Sequence, residues 1–324
     1  IMIKLAKAIR KEYNIKNLCL AGGVALNCVA NGKILRKKIF ENIWIQPAAG
    51  DAGGSLGAAL ALWYSEEGNQ RNIDPTDSMK GSYLGTQFTD KEIEYELKLA
   101  GAKFESYNYD EIIDKTSDLL TQENAIGWFQ GRMEFGPRAL GARSILGDPR
   151  SEKMQKNLNL KVKFRESFRP FAPSVLREDV SEWFDFNNDS PYMLMVSKIN
   201  PNKTLKMTDV EQKLFGIEKL NIKRSEIPAV THVDYSARIQ TVHKQTNEKY
   251  YNLIKKFKEI TNCPVLVNTS FNVRGEPIVN TPEDAFNCFM GSNLDTLIIG
   301  NFILEKSEQQ QKLNINYKDN FELD

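Results

Sequence analysis

The chain has 324 residues, 41% of them hydrophobic and 26% charged, which is the composition of a globular protein and the length of about two domains. Its 43 Lys plus Arg balance 42 Asp plus Glu, so a general polyanion-binding surface is not indicated and any anion site must be local. Only two histidines, His232 and His243, are present, eleven residues apart, a supply from which a histidine-based metal site or a Ser-His-Asp triad is hard to build.

Taken in chain order, Ile1, Leu5, Ile9 and Tyr13 fall on one stripe and predict an amphipathic helix. No cap signal precedes it. The expectation is a chain that begins inside a domain, as a truncation or one part of a split gene; the alternative is a native N-terminal helix with a frayed start. "NLCLAGG" reads as a strand entering a double-glycine turn, followed by a helix over "VALNCVANGKILRK". "IWIQPAAGDAGGSLGAALALWY" repeats that plan with Gly50, Gly53 and Gly54 at the turn. Two such units in series predict an α/β layer with ligand loops at the strand ends. Polar, turn-rich residues then read as a linker. The expected organisation is residues 1–66, a linker at 67–85, a mixed α+β unit at 86–305 and a polar, loosely held tail at 306–324. Residues 200–228 read as a surface excursion. The four cysteines are far apart and form no CxxC pair, which fits reduced thiols in a cytoplasmic protein. No apolar run approaches the roughly 20 residues of a membrane span, and no signal peptide is visible.

The stretch "GWFQGRMEFGPRALGARSILGDP" (127–149) places Arg132, Arg138 and Arg143 among turn-forming residues. Ala125 to Phe129 predicts a buried strand, and Gly131 a turn. Pro137 suits the first position of a helix, which puts Arg138 in a first turn. A cation there opposes the helix dipole unless an anion shares the site. Arg138 is therefore read as holding a phosphate or carboxylate, the alternative being an arginine paired with Glu134 or Asp148. If the helix continues, Arg143 points about 140° away from Arg138. In "LKVKFRESFRPFAPSVL" the bases Lys161, Lys163, Arg165 and Arg169 alternate with Val162, Phe164 and Phe168. That pattern predicts a strand with one basic face, interrupted by Glu166 on the apolar side. The row is either solvated or lines a pocket for polyphosphate. In "CPVLVNTSFNVRGEPIVNTPEDAF", "PVLV" reads as a buried strand with Asn268, Thr269, Ser270 and Asn272 clustered at its end, as at a ligand mouth. Thr281 and Pro282 read as N-cap and first residue of a helix, with Glu283 and Asp284 in its first turn. "THVDYSARIQTV" adds His232, Asp234 and Arg238.

Together "LAGGVALNCVANGKI", "PAAGDAGGSLGAAL", "GWFQGRMEFGPRALGARSILGDPR", "VKFRESFRPFAPSVL", "THVDYSARIQTV" and "PVLVNTSFNVRGEPIVNTPEDA" resemble, in order, the carbamoyltransferase family of nodulation-factor and aminoglycoside O-carbamoyltransferases. The resemblance implies a mixed α/β fold in two parts. Residues 1–66 would be the C-terminal fragment of a Kae1-like domain of the actin-like ATPase fold. Residues 86–305 would be a YrdC-like α+β domain with a twisted mixed sheet. It implies a reaction in which ATP, with Mg2+, and carbamoyl phosphate give carbamoyl-adenylate and pyrophosphate, before the carbamoyl group passes to a hydroxyl of a sugar or natural product. Arg138, Lys163, Arg169 and Arg238 would be the acting cations. Ser270, Asn272, Arg165 and Asn268 would bind substrate or ATP. Gly22, Gly23 and Asn27 match the nucleotide loop, and Asp51 matches a ligand of a divalent metal such as iron. That metal would need the family's N-terminal half, as a separate chain or domain, because its histidines lie there. Two alternatives accompany this reading: a non-catalytic nucleotide- or RNA-binding module, and a threonylcarbamoyl or hydrogenase-maturation carbamoyltransferase. The near-neutral charge disfavours nucleic acid, and "FGPRALG" with "NTSFN" favours the small-molecule branch.

Overall fold

The structure, a computed structural model, describes residues 1–73, 76–310 and 317–322. Two short strands, β1 (Asn17–Leu20) and β2 (Asn42–Ile45), pair in parallel. They alternate with helices Met2–Tyr13, Cys28–Arg36 and Asp51–Ala61, as the repeated strand–glycine–helix plan predicts. The remaining strands are β3 (Glu105–Ser106), β4 (Ile126–Phe129), β5 (Arg143–Gly147), β6 (Ala172–Leu176), β7 (Met195–Lys198), β8 (Ser236–Val242), β9 (Val265–Ser270), β10 (Thr296–Ile299) and β11 (Phe302–Glu305). They form one nine-stranded mixed sheet in the order β3-β11-β10-β4-β5-β9-β6-β8-β7. The expected mixed α/β class is what the structure has.

The central strands β4, β5 and β6 are buried along their whole length, because helices cover the sheet. Helix Glu248–Thr261 packs on β6 and β9 and against Tyr109–Thr121, while Pro282–Gly291 packs on β4 and β10. Trp128, Ile145, Val175, Leu266 and Phe289 belong to the resulting core, on the two faces of the sheet. Local signals set the helix starts. Thr281 accepts the Asp284 amide at 3.1 Å and Asp284 returns the bond, so the expected cap is a full capping box with Pro282 at the first position.

The N-terminal layer is joined to the large sheet. The Asn31 side chain donates to the Leu194 carbonyl at 3.1 Å, and Arg36 donates to the Val196 carbonyl at 2.6 Å. Gly136 fits against this layer only because it lacks a side chain: a Cβ there would lie 2.8 Å from the Pro47 carbonyl oxygen. Within the stretch read as a linker, Gly81 and Ser82 are buried, Ser82 Oγ donates to the Phe135 carbonyl while the Phe135 amide donates to the Ser82 carbonyl, and Gly85 and Thr86 bond to the Met133 backbone.

Three local expectations are corrected. Residues 137–142 are not helical; they are a loop, and Arg143 opens β5. Residues 161–169 are not a strand. Met154–Asn157 is helical, Leu158–Val162 continues it as a π-turn, and irregular backbone leads to β6. Alternating charge here follows a turn and a loop, not a pleat. The helix over Met2–Tyr13 forms, but Ile1, Leu5, Ile9 and Tyr13 are exposed; it packs through Met2, Ile3 and Ala6 on Ile34 and Phe40. In the tail, Tyr317 reaches Glu276 and stacks edge-on with Phe321 at 5.3 Å. Polar composition concealed those contacts. No helix among the described residues is long and apolar enough to cross a membrane, and all four cysteines are free.

Gly141, with φ of 104°, is the tightest point of the 130–142 loop: a Cβ would lie 2.2 Å from the Tyr250 ring. Gly141→Ala combines that overlap with an unfavourable φ. It is expected to cost roughly 2–4 kcal/mol, measured by urea denaturation; an unchanged midpoint would contradict this account of the loop.

Candidate active site

The loops that sequence patterns single out open at one end of the central strands. Loop 130–142 follows β4 and loop 163–171 precedes β6. β6 runs antiparallel to β9, with Ala172 opposite Asn268, so the start of β6 lies at the end of β9. β8 runs parallel to β6, with Ser174 opposite Gln240, so Arg238 sits at that same end. Period-two alternation puts Arg238 and Gln240, Ser174, and Asn268 and Ser270 on one face. This face is polar where the opposite one, with Ala237, Ile239, Val265 and Val267, is core.

A buried carboxylate shapes the loop above this face. Glu134 Oε1 accepts the backbone amides of Leu140 at 2.6 Å, Ala142 at 2.8 Å and Arg143 at 3.4 Å. Below, the Gln240 side chain donates to the Leu140 carbonyl at 2.8 Å. Asn268 Nδ2 donates to the Ala139 carbonyl at 3.2 Å, to Ser174 Oγ at 3.0 Å and to Gln240 Oε1 at 2.9 Å. Trp128 and Tyr83 donate to the Gly141 and Leu140 carbonyls. The three arginines of this stretch then separate by role. Arg143 is wholly buried, donates to the carbonyls of Gln130, Gly131 and Ala142, and lies 3.5 Å from the centre of the Phe129 ring. Burial pulls its pKa down to about 10. Arg132 is exposed and donates to the Gly85 carbonyl at 2.8 Å. Neither expected alternative partner takes Arg138: Glu134 serves backbone amides, and Asp148 holds Arg150 at 2.6 Å.

Arg138 is left uncommitted. Its Nε is buried without a partner, and among the described residues it makes no ion pair. Desolvation lowers its pKa. Arg238 likewise makes no ion pair among the described residues; burial first, then the fields of Arg138 and Arg165, bring its pKa to about 10. Arg165 is likewise lowered to about 10 by burial and the nearby Arg169. Arg238 thus feels the charge of both Arg138 and Arg165, and Arg138 and Arg238 have no carboxylate partner among the described residues. An anion with several oxygens is the ligand such a cluster suits. The thiol of Cys28, at the start of helix Cys28–Arg36, lies within electrostatic reach of Arg138 and Arg238. That brings the "GGVALNC" loop to the same place, a proximity that no sequence pattern announced.

Lys163 is buried beneath this cluster. Its ammonium donates to the Ser270 carbonyl, to Ser270 Oγ at 3.2 Å, to the Asn272 carbonyl at 2.8 Å and to Asn272 Oδ1 at 2.6 Å. Desolvation dominates and lowers its pKa to about 7. Ser270 and Asn272 are therefore gathered around a lysine, joined by a 2.7 Å bond from Ser270 Oγ to Asn272 Oδ1. Arg169 is at the surface, paired with Glu166 at 3.0 Å, and Lys161 is exposed. Asp234 accepts from Ser236 at the start of β8, with His232 beside it. Gly22, Gly23 and Asn27 are exposed, and Asn27 caps the following helix through the Ala30 amide at 3.0 Å. Asp51 is exposed at the start of its helix. Among the described residues no group of three His, Cys, Asp or Glu could hold a metal ion, so Asp51 is not part of a donor set here.

Residues 117–306 match the family model for the carbamoyltransferase C-terminus, and residues 1–60 match that for the carbamoyltransferase N-terminus. The chain belongs to the carbamoyltransferase family. It is 55% identical over 327 residues to the uncharacterized protein sll1178 of Synechocystis sp., covering 100% of this chain and 53% of that one. It is 42% identical over 296 residues to nodulation protein NolNO of Sinorhizobium fredii, covering 90% and 40%. With nodulation protein NolO of Bradyrhizobium diazoefficiens the identity is 40% over 301 residues, covering 92% and 50%. The chain spans about half the length of the curated relatives it matches. The cation cluster lies within the C-terminal match, and Cys28 lies within the N-terminal one.

The lowered pKa of Lys163 has a measurable consequence. Between about pH 7 and 10 the unfolded chain holds a proton that the folded chain has released, so the penalty this buried group places on folding falls as pH rises. Lys163→Met should flatten that part of the stability curve, by at most about 1.4 kcal/mol per pH unit. Chemical denaturation at several pH values reads this; a steeper rise in the variant would contradict the assignment.

Proposed function

We propose that this carbamoyltransferase activates carbamoyl phosphate with ATP at the Arg138–Arg165–Arg238 cluster. The observation that supports this reading most is the pair Arg138 and Arg238, held close with neither a carboxylate partner nor a hydrogen bond among the described residues. Both substrates are polyanions or acyl phosphates, and their charge offsets this repulsion. In balanced form, water takes the phosphoryl group of carbamoyl phosphate, leaving carbamate and inorganic phosphate. A carbamate oxygen then attacks the α-phosphorus of ATP, bound as its magnesium complex, and the α–β phosphoanhydride breaks with pyrophosphate leaving. The product is carbamoyl-adenylate. Arg138, Arg165 and Arg238 stabilise charge that grows on the departing pyrophosphate. Lys163 holds the Ser270–Asn272 turn in place, and Arg169 guides anions inward from the rim.

In this reading residues 86–305 are the YrdC-like activation unit, and residues 1–66 belong to a Kae1-like unit whose Gly22, Gly23 and Asn27 approach the nucleotide. The carbamoyl group then passes to a hydroxyl of a sugar or natural product, releasing AMP. A metal at Asp51 would draw its other ligands from outside the described residues, and the activation step needs none there.

Pyrophosphate release from MgATP and carbamoyl phosphate, without an acceptor, tests the proposal. Arg138→Ala and Arg238→Ala are each expected to lower the rate about 100-fold or more with unchanged circular dichroism. Normal turnover in both variants would contradict the assignment, as would a folded wild-type chain that releases none.

A further inference from the structure

Asn159 is fully buried, and both of its amide donors and its oxygen are used within one loop. Nδ2 donates to the Ser167 carbonyl at 3.2 Å and the Arg169 carbonyl at 2.8 Å, while Oδ1 accepts Arg165 Nε at 2.7 Å. Its backbone carbonyl also accepts the Arg165 amide at 3.0 Å. Every one of these partners belongs to residues 165–169, the loop that presents Arg165 and Arg169.

That loop needs holding. Phe164 has φ of 47°, a left-handed conformation that a bulky aromatic residue rarely adopts and that persists only under surrounding constraint. The preceding residues, Leu158–Val162, form a π-turn, an irregularity that concentrates at functional sites. Arg165 also lies within the repulsive fields of Arg169, Arg274 and Arg238, offset in part by Glu166. Two contacts hold the guanidinium in place: the Asn159 oxygen at Nε and the Phe171 ring, 5.0 Å from the guanidinium carbon. The terminal nitrogens of Arg165 donate to nothing among the described residues.

We propose that Asn159 is a positioning residue of the anion site: it fixes Arg165 through Nε and pins the carbonyls of Ser167 and Arg169, leaving the terminal guanidinium nitrogens directed at a phosphate-class ligand. This rests on the reading of the cluster as an anion site. It adds a residue that touches no ligand and acts on binding through Arg165. A buried asparagine that merely tied the loop together would affect folding, and its loss would add to that of any arginine.

The test is a double-mutant cycle read by calorimetric binding of magnesium pyrophosphate at fixed ionic strength, using wild type, Asn159→Ala, Arg165→Ala and the double variant. Asn159→Ala is expected to weaken binding about tenfold, or about 1.4 kcal/mol. The double variant should bind no more weakly than Arg165→Ala alone. Multiplying losses in the double variant would overturn the inference, as would wild-type affinity in Asn159→Ala. If Asn159→Ala does not fold, Asn159→Asp serves in the same cycle. It keeps the volume and the acceptor for Arg165 but cannot donate to the two carbonyls, and the same non-additivity is expected. Wild-type protein that fails to bind pyrophosphate would sink the anion-site reading itself. Binding with an unaffected Asn159 variant would sink only the role of Asn159.

Discussion

Like charges held close together in a largely buried setting repel, and the architecture around Arg138, Arg165 and Arg238 holds Arg238 within the fields of the other two. Burial alone disfavours each guanidinium, and neighbouring arginines lower Arg165 and Arg238 further. Such an arrangement persists only if the backbone carrying the charges cannot relax. Glu134 provides this for the Arg138 loop by drawing three amides onto one oxygen, and the Asn268–Ser174–Gln240 network fixes the same loop from beneath. Strand pairing provides it for Arg238, which faces Val196 in the β7–β8 ladder.

Similar residue types therefore do different work within a few positions. Arg143 and Arg138 are five residues apart. Yet the first spends its donors on carbonyls and an aromatic face, while the second donates to nothing among the described residues. Lys163 and Lys161 differ in the same way: one is clamped by four acceptors under the site, the other is solvated. Charge count alone does not reveal a site; the absence of a counter-charge in a rigid setting does.

Local rules made part of this legible in advance. The buried strand ending at Phe129, the strand ending at Ser270 and the Thr281 cap each depend on neighbours in sequence, and each forms as read. The helix expected after Pro137 fails because Glu134, remote from any pattern of helical spacing, takes the amides of Leu140, Ala142 and Arg143 that a helix would bond internally. The strand expected over 161–169 fails for a similar reason, since Asn159 captures carbonyls that a neighbouring strand would need. Asn268 carries a polar side chain at a strand end, as a ligand mouth would, but it is wholly buried and props the loop instead. Long-range side-chain-to-backbone bonds are what the one-dimensional pattern could not show, and they also shape the site.

The most direct measurement is a crystal structure of the chain soaked with magnesium pyrophosphate. The account predicts density for the anion bridging the guanidiniums of Arg138, Arg165 and Arg238, above the Lys163-bound Ser270–Asn272 turn. Pyrophosphate bound elsewhere, with Arg138 and Arg238 turned onto protein carboxylates, would contradict it.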